Sequence, residues 1–93
     1  MTSVLQLVDG SKGARFDGLV LDISGLNGSA DVKRVTIANI DKISVEPSGD
    51  EWLLLVRLRQ GGFSAAISAS RKAEWERLVQ AVQDAKNALP VEP

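Results

Sequence analysis

The amphipathic pattern of residues 70–89 constrains the fold of this chain more than any other feature of its sequence. Apolar residues recur there at steps of three and four, so a helix would place them on one side. They are Trp75, Leu78, Val79, Val82, Ala85 and Leu89. Polar residues occupy the opposite side, although Lys86 falls on the apolar stripe. Because a helix with one apolar side is not stable alone in water, the rest of the chain must provide an apolar surface for it.

Both ends of this predicted helix carry residues that favour helix termini. Ser70 predicts the N-cap, because its side-chain oxygen can accept a hydrogen bond from a free amide of the first turn. Pro90 predicts the end, because the residue before a proline is disfavoured in helical geometry. Residues 90–93 are then expected to form a short tail.

The chain before the helix, about residues 3–69, predicts short strands separated by tight turns. Residues 19–24 show the pattern clearly, because every second side chain there is a large aliphatic one. Leu19, Leu21 and Ile23 are therefore predicted to face the core from one side of a strand.

Two later stretches predict irregular geometry. The apolar phase shifts within residues 33–45, which predicts a bulge, a sharp bend or a short turn around residues 39–42. Pro47 predicts a turn over residues 46–50, since proline cannot continue a central strand. In total the sequence predicts six or seven strands in an antiparallel meander, followed by one helix.

Length and composition predict a single domain over residues 1–93. The formal net charge of −1 gives no electrostatic basis for binding nucleic acid. Cysteine is absent, and the first six residues show no signal-peptide pattern, so we expect a cytoplasmic protein. The longest apolar run, residues 52–56, is much shorter than a membrane span.

The order of these elements resembles the pleckstrin-homology-type fold and, more narrowly, small bacterial pleckstrin-homology-like domains of unknown function. The segments that carry the resemblance are residues 13–18, 19–23, 35–43 and 74–78, together with Phe63. The resemblance implies a strongly bent antiparallel sandwich or barrel that the C-terminal helix closes at one end. It implies no reaction, because related folds bind lipids or peptides or serve in assembly.

The residue types most used in catalysis are missing from the sequence. Without His, Cys or Tyr, the chain cannot use His-based acid–base chemistry, a Cys nucleophile or the usual zinc ligands. We expect no catalytic, cofactor or metal site. A carboxylate-based enzyme is the third hypothesis and requires at least two acidic residues to meet in a pocket. The candidates are Asp9, Asp17, Asp22, Asp41, Glu46 and Asp50, and each is expected to have a structural role in or beside a turn.

The second hypothesis is an anionic-membrane or lipid-binding module. In lipid-binding domains of the resembled type, basic residues cluster after the first strand, where this chain has Lys12 and Arg15. Lys33 and Arg34 lie on a later segment. The hypothesis requires all four to converge on one face. Because scattered basic residues usually form solvated surface, we do not expect membrane binding.

The leading hypothesis is a non-enzymatic protein-interaction or assembly module. In residues 51–59, the largest strand signal, Trp52, Leu54, Val56 and Leu58 suffice as a core face. Leu53 and Leu55 lie on the other face, where a solvated strand would be polar. Either the domain covers them itself, or they form an interface with another protein or with a second copy of the chain.

Overall fold

The computed structural model of the protein describes residues 4–10, 12–25 and 32–88. Within these ranges the chain is mainly β with one C-terminal helix, as predicted from the sequence. The strands are β1 (Leu5–Asp9), β2 (Lys12–Phe16), β3 (Val20–Ser24), β4 (Val32–Thr36), β5 (Ile40–Ser48), β6 (Glu51–Leu58) and β7 (Gly62–Ile67). The helix, α1, spans Lys72–Asn87.

The described strands form two antiparallel sheets rather than one closed barrel. The first contains β1 to β4 and the second β5 to β7, each in sequence order. Consecutive strands pair in both sheets, so neighbouring strands in the sequence are also neighbours in each sheet. The side chains of each strand alternate between an inner face towards the core and an outer face towards solvent.

The inner faces and α1 enclose one apolar core. Trp75, Leu78 and Val82 of the helix are buried and share this core with residues of both sheets, which confirms the predicted stripe. Among the sheet residues, Leu21, Val56 and Ile67 are buried in the same core, and Phe63 is half-buried against it. Leu89 lies outside the described residues. Within those residues, α1 is too short and too polar to cross a membrane.

The predicted irregularity between the two sheets is confirmed. A 3₁₀ turn at Ile37–Asn39 separates β4 from β5, and the pairing of β5 with β6 slips by one residue between Ile40 and Lys42. The 3₁₀ turn accounts for the step between the buried Ile37 and Ile40, and the slip accounts for the step between Ile40 and Ile43.

Leu19 was predicted to face the core from the third strand, and this prediction is wrong. Leu19 is exposed, because the strand begins one residue later, at Val20. Asp17 forms the turn before it and accepts hydrogen bonds from the amides of Leu19 and Val20 at 2.9 and 2.8 Å. These bonds hold the pKa of the exposed Asp17 carboxyl below its ordinary value.

The turn predicted over residues 46–50 from Pro47 is shorter in the structure and does not include Pro47. β5 continues through Pro47, which lies opposite Trp52, and the turn contains only Gly49 and Asp50. Proline is tolerated there because β5 is an edge strand and the missing amide removes no central ladder bond.

The helix begins later than predicted, and Ser70 is not its N-cap. Ser70 lies in a 3₁₀ turn, Ala69–Arg71, and the cap position is Arg71, which makes no side-chain cap bond. Arg71 instead pairs with Glu74 at 3.2 Å. Lys72, also unfavourable in a first turn, pairs with Glu76 at 3.4 Å and lies 4.1 Å from the centre of the Trp52 ring.

The far end of α1 covers the free edge of β5. The Gln83 amide donates to the Ile43 carbonyl at 2.7 Å, and the Lys86 ammonium donates to the Asp41 carbonyl at 2.9 Å. Lys86 therefore has a defined acceptor on the sheet, which explains a charged residue on the apolar stripe.

Replacement of Trp75 by Ala is expected to remove the largest fully buried side chain of the core. We expect a loss of about 3–5 kcal/mol in the free energy of unfolding, enough to unfold most of the protein. Urea denaturation followed by circular dichroism measures this loss. Arg77→Ala, at an exposed position of the same helix, is the control and should unfold close to wild type. A Trp75→Ala protein as stable as that control would contradict the assignment of the core.

Candidate interaction surfaces

Asp9 is a buried carboxylate that joins the first strand to the last connection of the chain. Its side chain accepts hydrogen bonds from the Ser68 amide at 2.8 Å, from the Ser68 hydroxyl, and from the Trp75 indole at 3.0 Å. The residue is 6% exposed. Three donors satisfy a carboxylate well, so the group is fully used in holding β1, the end of β7 and α1 together.

The environment of Asp9 affects its pKa in two opposing ways. Burial raises the pKa, because it disfavours the charged form. The hydrogen bonds from Ser68 and Trp75 and the positive charge of Lys12 lower it. Together the lowering contributions prevail, and the pKa of Asp9 lies below its ordinary value of 3.8. Asp9 is therefore an ionised structural group at neutral pH.

The other candidate acids occupy separate places in the described structure. Asp22 pairs with Arg34 at 2.9 Å, which raises the pKa of the guanidinium. Glu46 accepts a hydrogen bond from the Ser44 hydroxyl at 3.1 Å. Among the described residues, no three His, Cys, Asp or Glu side chains are grouped so as to hold a metal ion.

The outer face of the four-stranded sheet carries an open hollow of about 400 Å³, which we call the outer groove. One row across the strands contains Val8, Gly13, Ser24 and Val32 in register. The neighbouring row contains Gln6, Arg15, Asp22 and Arg34. The valines stand on the two edge strands, 66% and 55% exposed, and form the walls. Gly13 leaves the floor low, and a Cβ there would come within 3.1 Å of Ser24 Oγ.

The four basic residues proposed for lipid contact are divided between two faces. Arg15 and Arg34 line the outer groove. Lys12 lies opposite Asp9, at a position that belongs to the inner face. Lys33 lies opposite the buried Ile23, and its ammonium is 5.9 Å from the centre of the Phe63 ring. The convergence that the lipid hypothesis requires is therefore reduced to two arginines, one of which is already paired with Asp22.

The outer face of the three-stranded sheet carries Leu53 and Leu55, which are both half-buried. We call it the leucine face. Its outward side chains form four rows across the strands: Lys42, Arg57 and Gly62; Ser44, Leu55 and Ser64; Glu46, Leu53 and Ala66; Ser48 and Glu51. The cross-strand neighbours of the two leucines are small or polar.

Two of these features were not predicted from the sequence. Asp9 was expected to bond its own turn, and nothing in a linear pattern shows a partner 59 residues away. The outer groove depends on strand register, which aligns Val8 with Gly13 and Ser24 with Val32. One signal was present, because a glycine inside a strand, here Gly13 in β2, often marks a place where another group approaches closely.

Comparisons of the chain with protein-family models, with curated proteins and with solved structures found no match.

Replacement of Asp9 by Asn is expected to destabilise the fold and to change its acid sensitivity. An amide has one acceptor oxygen in place of two, and it brings its own donors towards the donors of Ser68 and Trp75. We expect a loss of about 1–3 kcal/mol at neutral pH, measured by urea denaturation.

The pH dependence follows from the lowered pKa. An unfolded Asp9 takes up a proton near 3.8, whereas the folded carboxylate resists protonation until lower pH. Its stabilising contribution is therefore complete above about pH 4 and is lost as the pH falls through the folded value. The stability difference between wild type and Asp9→Asn should shrink over that interval. Asp50→Asn, in an exposed turn, is the control, and an equal response of both variants would contradict the role of Asp9.

Proposed function

We propose that this chain is a non-enzymatic protein-interaction module of pleckstrin-homology-like architecture. The order of four strands, three strands and a covering C-terminal helix supports the architecture. A cytoplasmic location is part of the proposal, since a chain without cysteine needs no oxidising compartment to fold. The outer groove is the proposed binding site, because it combines exposed aliphatic walls with a charged row on a face that would otherwise be polar.

The groove's chemistry suits an extended segment of a partner protein. Arg15 is exposed and has no ion-pair partner within 4.0 Å among the described residues. With two arginines and one aspartate, the charged row carries a net positive charge and can accept a carboxylate. The row that contains Val8 and Val32 lies two residues along the strands from the charged row, at a distance of about 6.6–6.8 Å. An extended peptide has the same spacing between residues i and i+2, so an acidic residue two positions from an aliphatic one would meet both rows.

An anionic-membrane module is the competing reading, and the geometry favours it less. Membrane binding uses clusters of four or more basic residues on one face. Here two of the four candidates belong to the other face, and Asp22 lies between the remaining two.

The proposal predicts peptide binding that depends on Arg15. We expect a random phage-displayed heptapeptide library, selected on the full chain, to enrich sequences with an acidic residue two positions from Val, Ile or Leu. Fluorescence polarisation of a labelled selected peptide should show about a tenfold or greater loss of affinity for Arg15→Glu, since a charge-assisted bond is replaced by repulsion. Arg77→Glu makes the same charge change on the helix and should bind like wild type.

Three outcomes would overturn the proposal. The first is selection without enrichment, and the second is a peptide that binds both variants equally. The third is co-sedimentation of the protein with phosphatidylserine vesicles at about 0.15 M salt that is lost in Arg15→Glu, which would favour the membrane reading instead.

A further inference from the structure

The leucine face has opposite charges at its two ends. Lys42 and Arg57 stand at one end, and Glu46 and Glu51 stand towards the other. All four are exposed. Arg57 has a side chain that is 75% exposed and approaches Asp41 only to 3.9 Å, so its charge is largely free for an external partner. Leu53 and Leu55 lie between the two ends. This order of basic, apolar and acidic positions runs along the strand direction.

Such a face is complementary to a copy of itself. The second copy is generated by a twofold axis that lies in the contact plane and runs at right angles to the strands. The axis passes between the rows of Leu53 and Leu55, and it reverses the strand direction of the second copy. Leu53 then meets Leu55 of the other copy, and Arg57 meets Glu51 twice, once on each side of the axis. A parallel stacking would instead bring like charges together. Closed twofold pairs are also the commonest assembly of soluble chains.

We propose that the leucine face binds a second copy of this chain in this antiparallel arrangement. The inference deepens the proposed function by naming one partner of the module. It uses a different sheet from the outer groove, so the two proposals fail separately. Loss of peptide binding in Arg15→Glu says nothing about self-association, and a monomeric protein says nothing about the groove.

The size of the face limits the affinity. Three strands span about 10 Å, and the four rows span about 20 Å along the strands. With side-chain margins this gives on the order of 300–400 Å² per copy, well below the roughly 800 Å² per partner of stable complexes. The contact is therefore weak and reversible, and it must be measured at high concentration.

Sedimentation velocity of the full chain from about 10 μM to 1 mM tests the proposal. The wild-type mass should rise reversibly towards twice that of the chain. Arg57→Glu and Glu51→Arg should each weaken self-association by about tenfold or more, because each creates a like-charge contact twice. An equimolar mixture of the two variants should recover it, since every altered residue then faces its complement. Arg77→Glu is the control of equal charge change and should behave as wild type.

A wild type that stays monomeric to 1 mM would overturn the proposal, and so would a mixture no stronger than its components. Both variants replace exposed residues, and circular dichroism checks their fold. Leu53→Lys with Leu55→Lys provides an independent measurement of the apolar centre. If this double variant is folded and still associates like wild type, the contact lies elsewhere.

Discussion

The hydrogen bonds that Asp9 accepts from Ser68 and Trp75 are the interaction on which the arrangement of the domain depends. They connect the first strand, the end of the last strand and the helix in one buried cluster. The two sheets share no strand pairing within the described ranges, so hydrophobic burial and this cluster fix how they meet. Burial alone is non-directional, whereas three donors aimed at one carboxylate are specific in geometry. The cluster therefore defines where the helix begins its contact with the sheets.

The sequence predicted what local periodicity controls and missed what register and long-range contacts control. The helix stripe around Trp75 and the phase change before Ile40 follow from side-chain spacing, and the structure confirms both. The later start of the helix could not be predicted, because a 3₁₀ turn at Ala69–Arg71 precedes α1 and the neighbouring Ser68 bonds Asp9, a residue distant in the sequence. Pro47 was assigned to a turn because its strand was not known to lie at an edge. The outer groove needs the alignment of four strands, which no single stretch contains.

The two outer faces differ in how they place charge, and this suggests different partners. In the outer groove a carboxylate lies between two arginines, so opposite charges alternate within one row and leave it with a small net positive charge. On the leucine face the signs are separated along the strands by about 20 Å, which gives the face a direction. A local pattern suits a short ligand that meets one row, whereas a directional pattern suits a second surface of the same extent. Both charge patterns occur in one small domain whose formal net charge is only −1.

The covered edge of β5 determines how strands of other chains could add to the three-stranded sheet. Pro47 has no amide to donate, and the carbonyls of Asp41 and Ile43 are engaged by α1. An additional strand is thus disfavoured on that side, while β7 forms the opposite edge. When a sheet can be extended at one edge alone, strand addition stops after a second copy has paired. The second copy then exposes its own β5 edge, which cannot pair with a further strand. The packing of one helix end therefore limits continued strand addition to the three-stranded sheet.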